Sequence, residues 1–240
     1  MRILVVNDDG IKAPGIERLA AEAKKWGEVT VVAPEKQCSG MSARITIEGR
    51  IGVYKSEFHV PGVEAYYITG NPVDCVKVAT EYLKVKPDVI FSGINKGYNA
   101  GVEISYSGTV GAAMEGLMKG IPSMAFSVDW HENYGAVDAF LPEIIKELLE
   151  TPISKGEIWN VNFPSCSKEE CKGILRDRYP APVPMYPDSF VCDEKFEDHD
   201  MIKSDAADIK EAEEGSDLGA LLKGYISIGK LKNVVLNRLI

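Results

Sequence analysis

Short β-branched runs alternate with helix-length amphipathic segments from the first residues to Pro164, and this alternation limits the possible folds more than any other feature. Arg2 to Asn7 reads as a buried strand, an aliphatic run that stops at turn residues. In "APGIERLAAEAKKWG", Ile16, Leu19, Ala20 and Ala23 fall at helical spacing, Pro14 suits a first turn and Gly27 a C-terminal cap. Glu28 to Ala33 is a second strand. Val63–Gly70 predicts a strand and Asn71–Leu83 a helix, with Asn71 as N-cap and Pro72 at the first helical position. "PDVIFSG", "IPSMAFSV" and "EIWNVNFP" read as strands. Ser107–Gly120, rich in small residues, and "AVDAFLPEIIKELLE" read as helices. Strands alternating with helices are βαβ units with right-handed crossovers, so the expected class is α/β: a mostly parallel sheet with helices on both faces.

The rhythm ends near Pro164. Beyond Lys172 come Pro180, Pro182, Pro184, Pro187 and many charges, and "RDRYPAPVPMYP" can be neither a central strand nor a helix. It reads as an extended arm or edge hairpin, followed in "SDLGALLKGYISIGKL" by a short helix and one more strand. The division expected is residues 1–165 as the main unit and 166–240 as an appendage, which suits a chain of 240 residues.

Several functions are disfavoured. No apolar run approaches the roughly 20 residues that span a bilayer, and Ile3–Val6 falls short of the roughly 7–15 of a signal-peptide core. A cytoplasmic protein is expected. The cysteines (Cys38, Cys75, Cys166, Cys171, Cys192) form no C-x-x-C pair, and the three histidines are widely spaced, so neither a zinc site nor a redox motif is signalled. A net charge of −9 without a Lys/Arg run argues against a nucleic-acid partner.

Ligands of open parallel sheets bind beyond the carboxyl ends of the strands. The first strand ends in Asn7-Asp8-Asp9-Gly10, and adjacent carboxylates resist ionisation beside one another. A turn is the plain explanation of Asp-Asp-Gly. A hard divalent cation explains more, because oxygen donors select Mg²⁺, Mn²⁺ or Ca²⁺ over Zn²⁺. Its other oxygens would come from Ser39 or Ser42, and from Asn95 or Asn99. Ser107, Gly108 and Thr109 begin a helix, where free N–H groups and hydroxyls form an anion site, although capping alone would also place Ser and Thr there. No G-K-[ST] follows, the acids are adjacent rather than D-x-D, and no G-x-S-x-G elbow is present. Cys75 sits mid-helix and reads as a packing residue.

In order along the chain, "ILVVNDDGIKAPGI", "VVAPEKQCSGMSARITI", "GNPVDCV" and "SGINKGYNAGVEISYSGTVGAAMEG" resemble the SurE (survival protein E) family, and "GYISIGKL" resembles its last strand more weakly. The resemblance implies a Rossmann-like sheet with a smaller C-terminal part, in which an extended hairpin and a terminal segment are exchanged between subunits of a homodimer or homotetramer. It implies a phosphatase acting on nucleoside 5′- and often 3′-monophosphates, with one divalent metal per subunit, Mg²⁺ or Mn²⁺. The family's metal ligands fall on Asp8, Asp9, Ser39 and Asn95, with Asp8, Asp9 and Asn95 also catalytic. Its phosphate cradle falls on Ser107, Gly108 and Thr109, and Asn99 is expected to hold phosphate as well. Either Asp8 or Asp9 could accept the proton of the attacking water. Two positions depart from the pattern: Asn71 stands where Thr is usual, and Gly229-Lys230 where Thr-Pro is common. A general acid phosphatase or exopolyphosphatase, or a nucleotide-binding stress protein without catalysis, are the competing readings.

Overall fold

A computed structural model describes residues 1–236. Its strands are β1 (Arg2–Val6), β2 (Glu28–Pro34), β3 (Val53–Ser56), β4 (Glu64–Ile68), β5 (Val89–Lys96), β6 (Ser123–Val128), β7 (Glu157–Phe163), β8 (Ile174–Arg178), β9 (Phe190–Lys195), β10 (Asp200–Ser204) and β11 (Ile226–Lys232). Its helices are α1 (Pro14–Ala23), α2 (Pro72–Lys77), α3 (Gly108–Met118), α4 (Gly135–Glu150) and α5 (Asp217–Leu222). Nine strands form one sheet in the order β3-β4-β2-β1-β5-β6-β7-β11-β8, and β9 and β10 form a separate antiparallel pair. From β4 to β7 every neighbouring pair is parallel.

Alternating side chains decide which helix covers which face. Ile3 and Val5 of β1, Val31 of β2 and Phe91 of β5 pack with Ile16 and Leu19 of α1 and Leu141 and Ile145 of α4. Leu4, Val6, Val32 and Ile90 point the other way, onto Cys75 and Val76 of α2 and Ala112 of α3. Cys75 is thus a fully buried packing residue. Strand order reverses at β1: the chain steps to β2 and β4 on one side, and to β5, β6 and β7 on the other. A crevice therefore opens at the carboxyl ends of β1 and β5, the point where such sheets take ligands.

Some elements differ from the sequence expectation. The helix expected over 71–83 is α2 followed by a wider, π-helical turn at Val78–Tyr82. β3 lies in a stretch that carries no strand pattern; it is short, half-exposed and held antiparallel against β4 at one edge. β8 forms the other edge, parallel to β11, and β11 itself is antiparallel to β7. The stretch beyond residue 165 thereby adds two strands to the main sheet. The exposed β9–β10 hairpin lies past the proline-rich segment expected to form the arm: Arg176–Arg178 of that segment end β8, and β9 begins only at Phe190.

Gly229 is explained by this edge. A Cβ built there would lie 2.0 Å from the Arg178 carbonyl oxygen of β8, next to a register shift between Ser227 and Gly229. Gly229→Thr is expected to push β8 off the sheet, lowering the melting temperature by roughly 5 °C or more. Thermal unfolding followed by circular dichroism checks this, and an unchanged midpoint contradicts it.

Candidate active site at the carboxyl ends of β1 and β5

The turn after β1 is closed by Asn7. Its Nδ2 donates to the Gly10 carbonyl (2.9 Å) and its Oδ1 accepts the Gly10 N–H (3.2 Å), with Gly10 at φ +99° where a side chain would be strained. Closing the turn through Asn7 leaves Asp8 to face the crevice and Asp9 the hollow beside it. Asp8 is only 2% exposed. Its Oδ1 accepts the Thr109 hydroxyl at 2.5 Å, and Gly108 approaches so closely that a Cβ there would sit 3.0 Å from the Asp8 Cβ. Burial and then the charge of Asp9 push the Asp8 carboxyl up to about 7, against the opposing pull of the Thr109 hydroxyl. Asp9 is also raised by burial; its Oδ2 accepts the Lys96 backbone N–H at 2.9 Å, which works the other way.

The loop after β2 is fastened to the first strand end by the Cys38 N–H on the Asp8 carbonyl oxygen (2.7 Å). Gln37 Nε2 donates to Ser39 Oγ at 2.9 Å and reaches Asp9 Oδ1 at 3.4 Å, so one amide joins Asp9 to Ser39. Of the two candidate serines, Ser39 lines the crevice. Ser42, at φ +53°, donates its hydroxyl to the Ser105 carbonyl oxygen instead. Asn95 sits where β5 and β6 lose register, a local irregularity of the kind that re-aims side chains at strand ends. Its Nδ2 donates to the Gly97 carbonyl oxygen (2.8 Å), which makes the amide oxygen the atom a cation would take. Asn99 is tied to the sheet: its N–H donates to Asn162 Oδ1 (2.8 Å) and its Nδ2 to Ser127 Oγ (2.6 Å). One amide hydrogen of Asn99 remains.

Ser107 caps α3 by accepting the Val110 N–H on Oγ (3.0 Å), which leaves its own hydroxyl hydrogen to donate elsewhere. Thr109 lies one step further in, wholly buried, with its hydroxyl on Asp8. The positive end of α3 is therefore shared between the crevice and the chain's own carboxylate. A cleft of ≈ 280 Å³ gathers Asp8, Ser39, Asn95, Asn99 and Ser107, and Asp9 faces an adjoining hollow of ≈ 170 Å³, with Lys96 in the wall of both. The cleft also holds residues the sequence reading missed, among them Glu103, Tyr106, Trp130 and Tyr186. They come from separate loops, and no local spacing joins them. The ending "SVDW" of β6, at a strand end, was the one available signal for Trp130.

A family model described as "Survival protein SurE" matches residues 3–179. The chain belongs to the SurE family. A 5′-nucleotidase SurE of Cytophaga hutchinsonii is 38% identical over 234 residues, covering 94% of this chain and 88% of its own. One from Flavobacterium johnsoniae is 43% identical over 176 residues, covering 72% of this chain and 68% of its own. The crystal structure of the SurE protein from Aquifex aeolicus superposes with a TM-score of 0.84 at 33% identity, over 100% of this chain and 97% of that one. The SurE crevice and the hollow beside it together offer, among the described residues, two carboxylates, a hydroxyl and an amide oxygen but neither thiolate nor imidazole, a donor set whose chemistry suits one hard cation retaining several waters. Among the described residues no helix is long and apolar enough to cross a membrane.

Proposed function

We propose that this chain is a divalent-metal-dependent phosphomonoesterase that hydrolyses nucleoside 5′-monophosphates, and 3′-monophosphates as well, to nucleoside and phosphate. The observation that carries the reading is the buried Asp8 carboxylate beside the capped start of α3, at the strand-order reversal of a sheet whose relatives are named 5′-nucleotidases. Asp8, Asp9, Ser39 and Asn95 would hold Mg²⁺ or Mn²⁺. Bound there, the metal supplies Lewis acidity, neutralising phosphate charge and lowering the pKa of a water.

The chain's own groups do the rest. The Ser107 hydroxyl, the Gly108 N–H and the remaining Asn99 amide hydrogen hold phosphate oxygens with the positive end of α3 behind them. Thr109 acts one step away, aiming Asp8. A carboxylate oxygen of Asp8 or Asp9 takes the proton of the attacking water during in-line displacement. The nucleoside leaves as its alcohol, protonated from solvent. We assign residues 1–165 to this chemistry and 166–240 to assembly, the β9–β10 hairpin being exchanged between subunits of a cytoplasmic homodimer or homotetramer.

Phosphate release is expected from AMP and GMP with Mg²⁺ or Mn²⁺, and more slowly from tripolyphosphate. A protein that is stabilised by AMP in thermal unfolding and releases no phosphate would be a binding protein, and the proposal would fall.

A further inference from the structure

The connection between β7 and β8 carries two cysteines that the phosphatase reading does not use, Cys166 and Cys171. Both are free and half-buried. One tight turn bridges them. The Cys171 N–H donates to the Ser167 carbonyl oxygen (3.1 Å), Glu170 Oε2 accepts the Ser167 N–H (2.9 Å), and Ser167 Oγ accepts the Glu170 N–H (3.3 Å). These reciprocal bonds are those of a capping box, and they fix the path along which the turn returns. The turn brings the thiols together, the Cys166 S–H donating to the Cys171 sulfur. Burial first, and then the Cys171 sulfur, push the Cys166 thiol up to about 11. The other cysteines lie elsewhere: Cys38 in the loop after β2, Cys75 inside α2 and Cys192 on β9.

The turn is also joined to the rest of the molecule. The Cys166 carbonyl oxygen accepts the Ala136 N–H at the start of α4 (2.9 Å), and Ser165 Oγ accepts the Asn133 N–H (2.8 Å). A Cβ at Gly135 would lie 2.8 Å from the Ser167 Cα, so the two segments meet backbone to backbone. On the other side the Lys172 N–H donates to the Gly224 carbonyl oxygen (3.0 Å), and Cys171 packs against the core that α4 covers. A covalent link between Cys166 and Cys171 would therefore hold together the end of β7, the start of α4 and the approach to β8.

We infer that Cys166 and Cys171 form a dithiol that hydrogen peroxide closes into an intramolecular disulfide, stapling the β7–β8 connection. The Cys171 thiolate attacks one peroxide oxygen and the O–O bond breaks. The displaced hydroxide takes up the proton that Cys171 gave and leaves as water, and Cys171 becomes a sulfenic acid. The Cys166 thiol then attacks that sulfur: the S–S bond forms, the S–O bond breaks, and a second water carries away the thiol proton. Two thiols and one peroxide thus give one disulfide and two waters. The raised Cys166 thiol keeps its proton until the second step, which assigns the first attack to Cys171. The sulfurs start in hydrogen-bond contact and need close only to the roughly 2.05 Å of a disulfide. In a reducing compartment the pair rests as the dithiol.

The test treats the reduced, unmodified protein with hydrogen peroxide, blocks the remaining thiols under denaturing conditions and digests the chain with trypsin. Lys168 lies between the two cysteines, so cleavage after it separates residues 156–168 from residues 169–172, and only a disulfide keeps the two peptides together. The linked pair is expected in the mass spectrum, and dithiothreitol is expected to release it. The melting temperature is expected to rise by roughly 4–8 °C on oxidation and to return on reduction. Cys171→Ser keeps the size of the side chain and leaves Cys166 without its partner thiol. Under the same treatment it is expected to show neither change, which separates the staple from oxidation of methionines. Unlinked peptides after peroxide, or a disulfide that maps to another pair, overturns the inference. So does a melting temperature that fails to rise in the oxidised protein, or that rises equally in Cys171→Ser.

Discussion

Asp8→Asn is expected to lower phosphate release from AMP by about 10³-fold or more, which corresponds to about 4 kcal/mol of lost transition-state stabilisation. Asparagine keeps the size of the side chain and an oxygen for the Thr109 hydroxyl, so the geometry at the start of α3 survives. It removes the negative charge that the proposed cation needs. The fold should not suffer. Burial and the charge of Asp9 work against the Asp8 carboxylate, and a neutral amide escapes both. The apo variant is accordingly expected to melt at or above the temperature of the unmodified apo protein. Steady-state kinetics and thermal unfolding of the two metal-free proteins check the two halves separately. Activity within tenfold of the unmodified protein would remove Asp8 from the chemistry, and a large drop in melting temperature would mean that the carboxylate is structural.

The parts of the fold and site that are legible in the sequence are those whose signals are local. β1 and its acidic end were readable because a fully apolar run stops abruptly at Asn7, and burial on both faces demands such a run. The start of α3 was readable because Ser-Gly-Thr precedes a helix-length stretch of small residues. Partner choice was not. The Thr109 hydroxyl was expected on phosphate, but it meets Asp8, a residue 101 positions away that only the β1–α3 packing brings near. Ser39 and Ser42 could not be separated by composition, since one backbone angle and one bond to Ser105 decide which of them faces the crevice. β3 and β8 were missed because a short edge strand needs neither two buried faces nor a clean alternation. Glu103, Trp130 and Tyr186 come from three loops and meet only in space.

Removing divalent cations with a chelator is expected to abolish hydrolysis of AMP, and Mg²⁺ or Mn²⁺, restored singly, to return it. Zn²⁺ should do so poorly, because the donors are all oxygens and the crevice has no imidazole or thiolate to favour a softer ion. Binding should also be visible without catalysis. A cation that binds only the folded chain stabilises it by about 2.7 kcal/mol at a hundred times its Kd. At about 2–4 °C per kcal/mol for a chain of this size, the melting temperature should rise by roughly 5–10 °C. Asp8 and Asp9 make the expected shift specific. Each is raised by burial, and Asp9 adds its charge against Asp8, so an ion between them relieves strain that a surface ion would not. The shift should therefore vanish in Asp8→Asn, while a non-specific effect of added salt would persist in both proteins. Metal-independent activity, or an equal shift in the two proteins, would return Asp8 and Asp9 to the role of a turn.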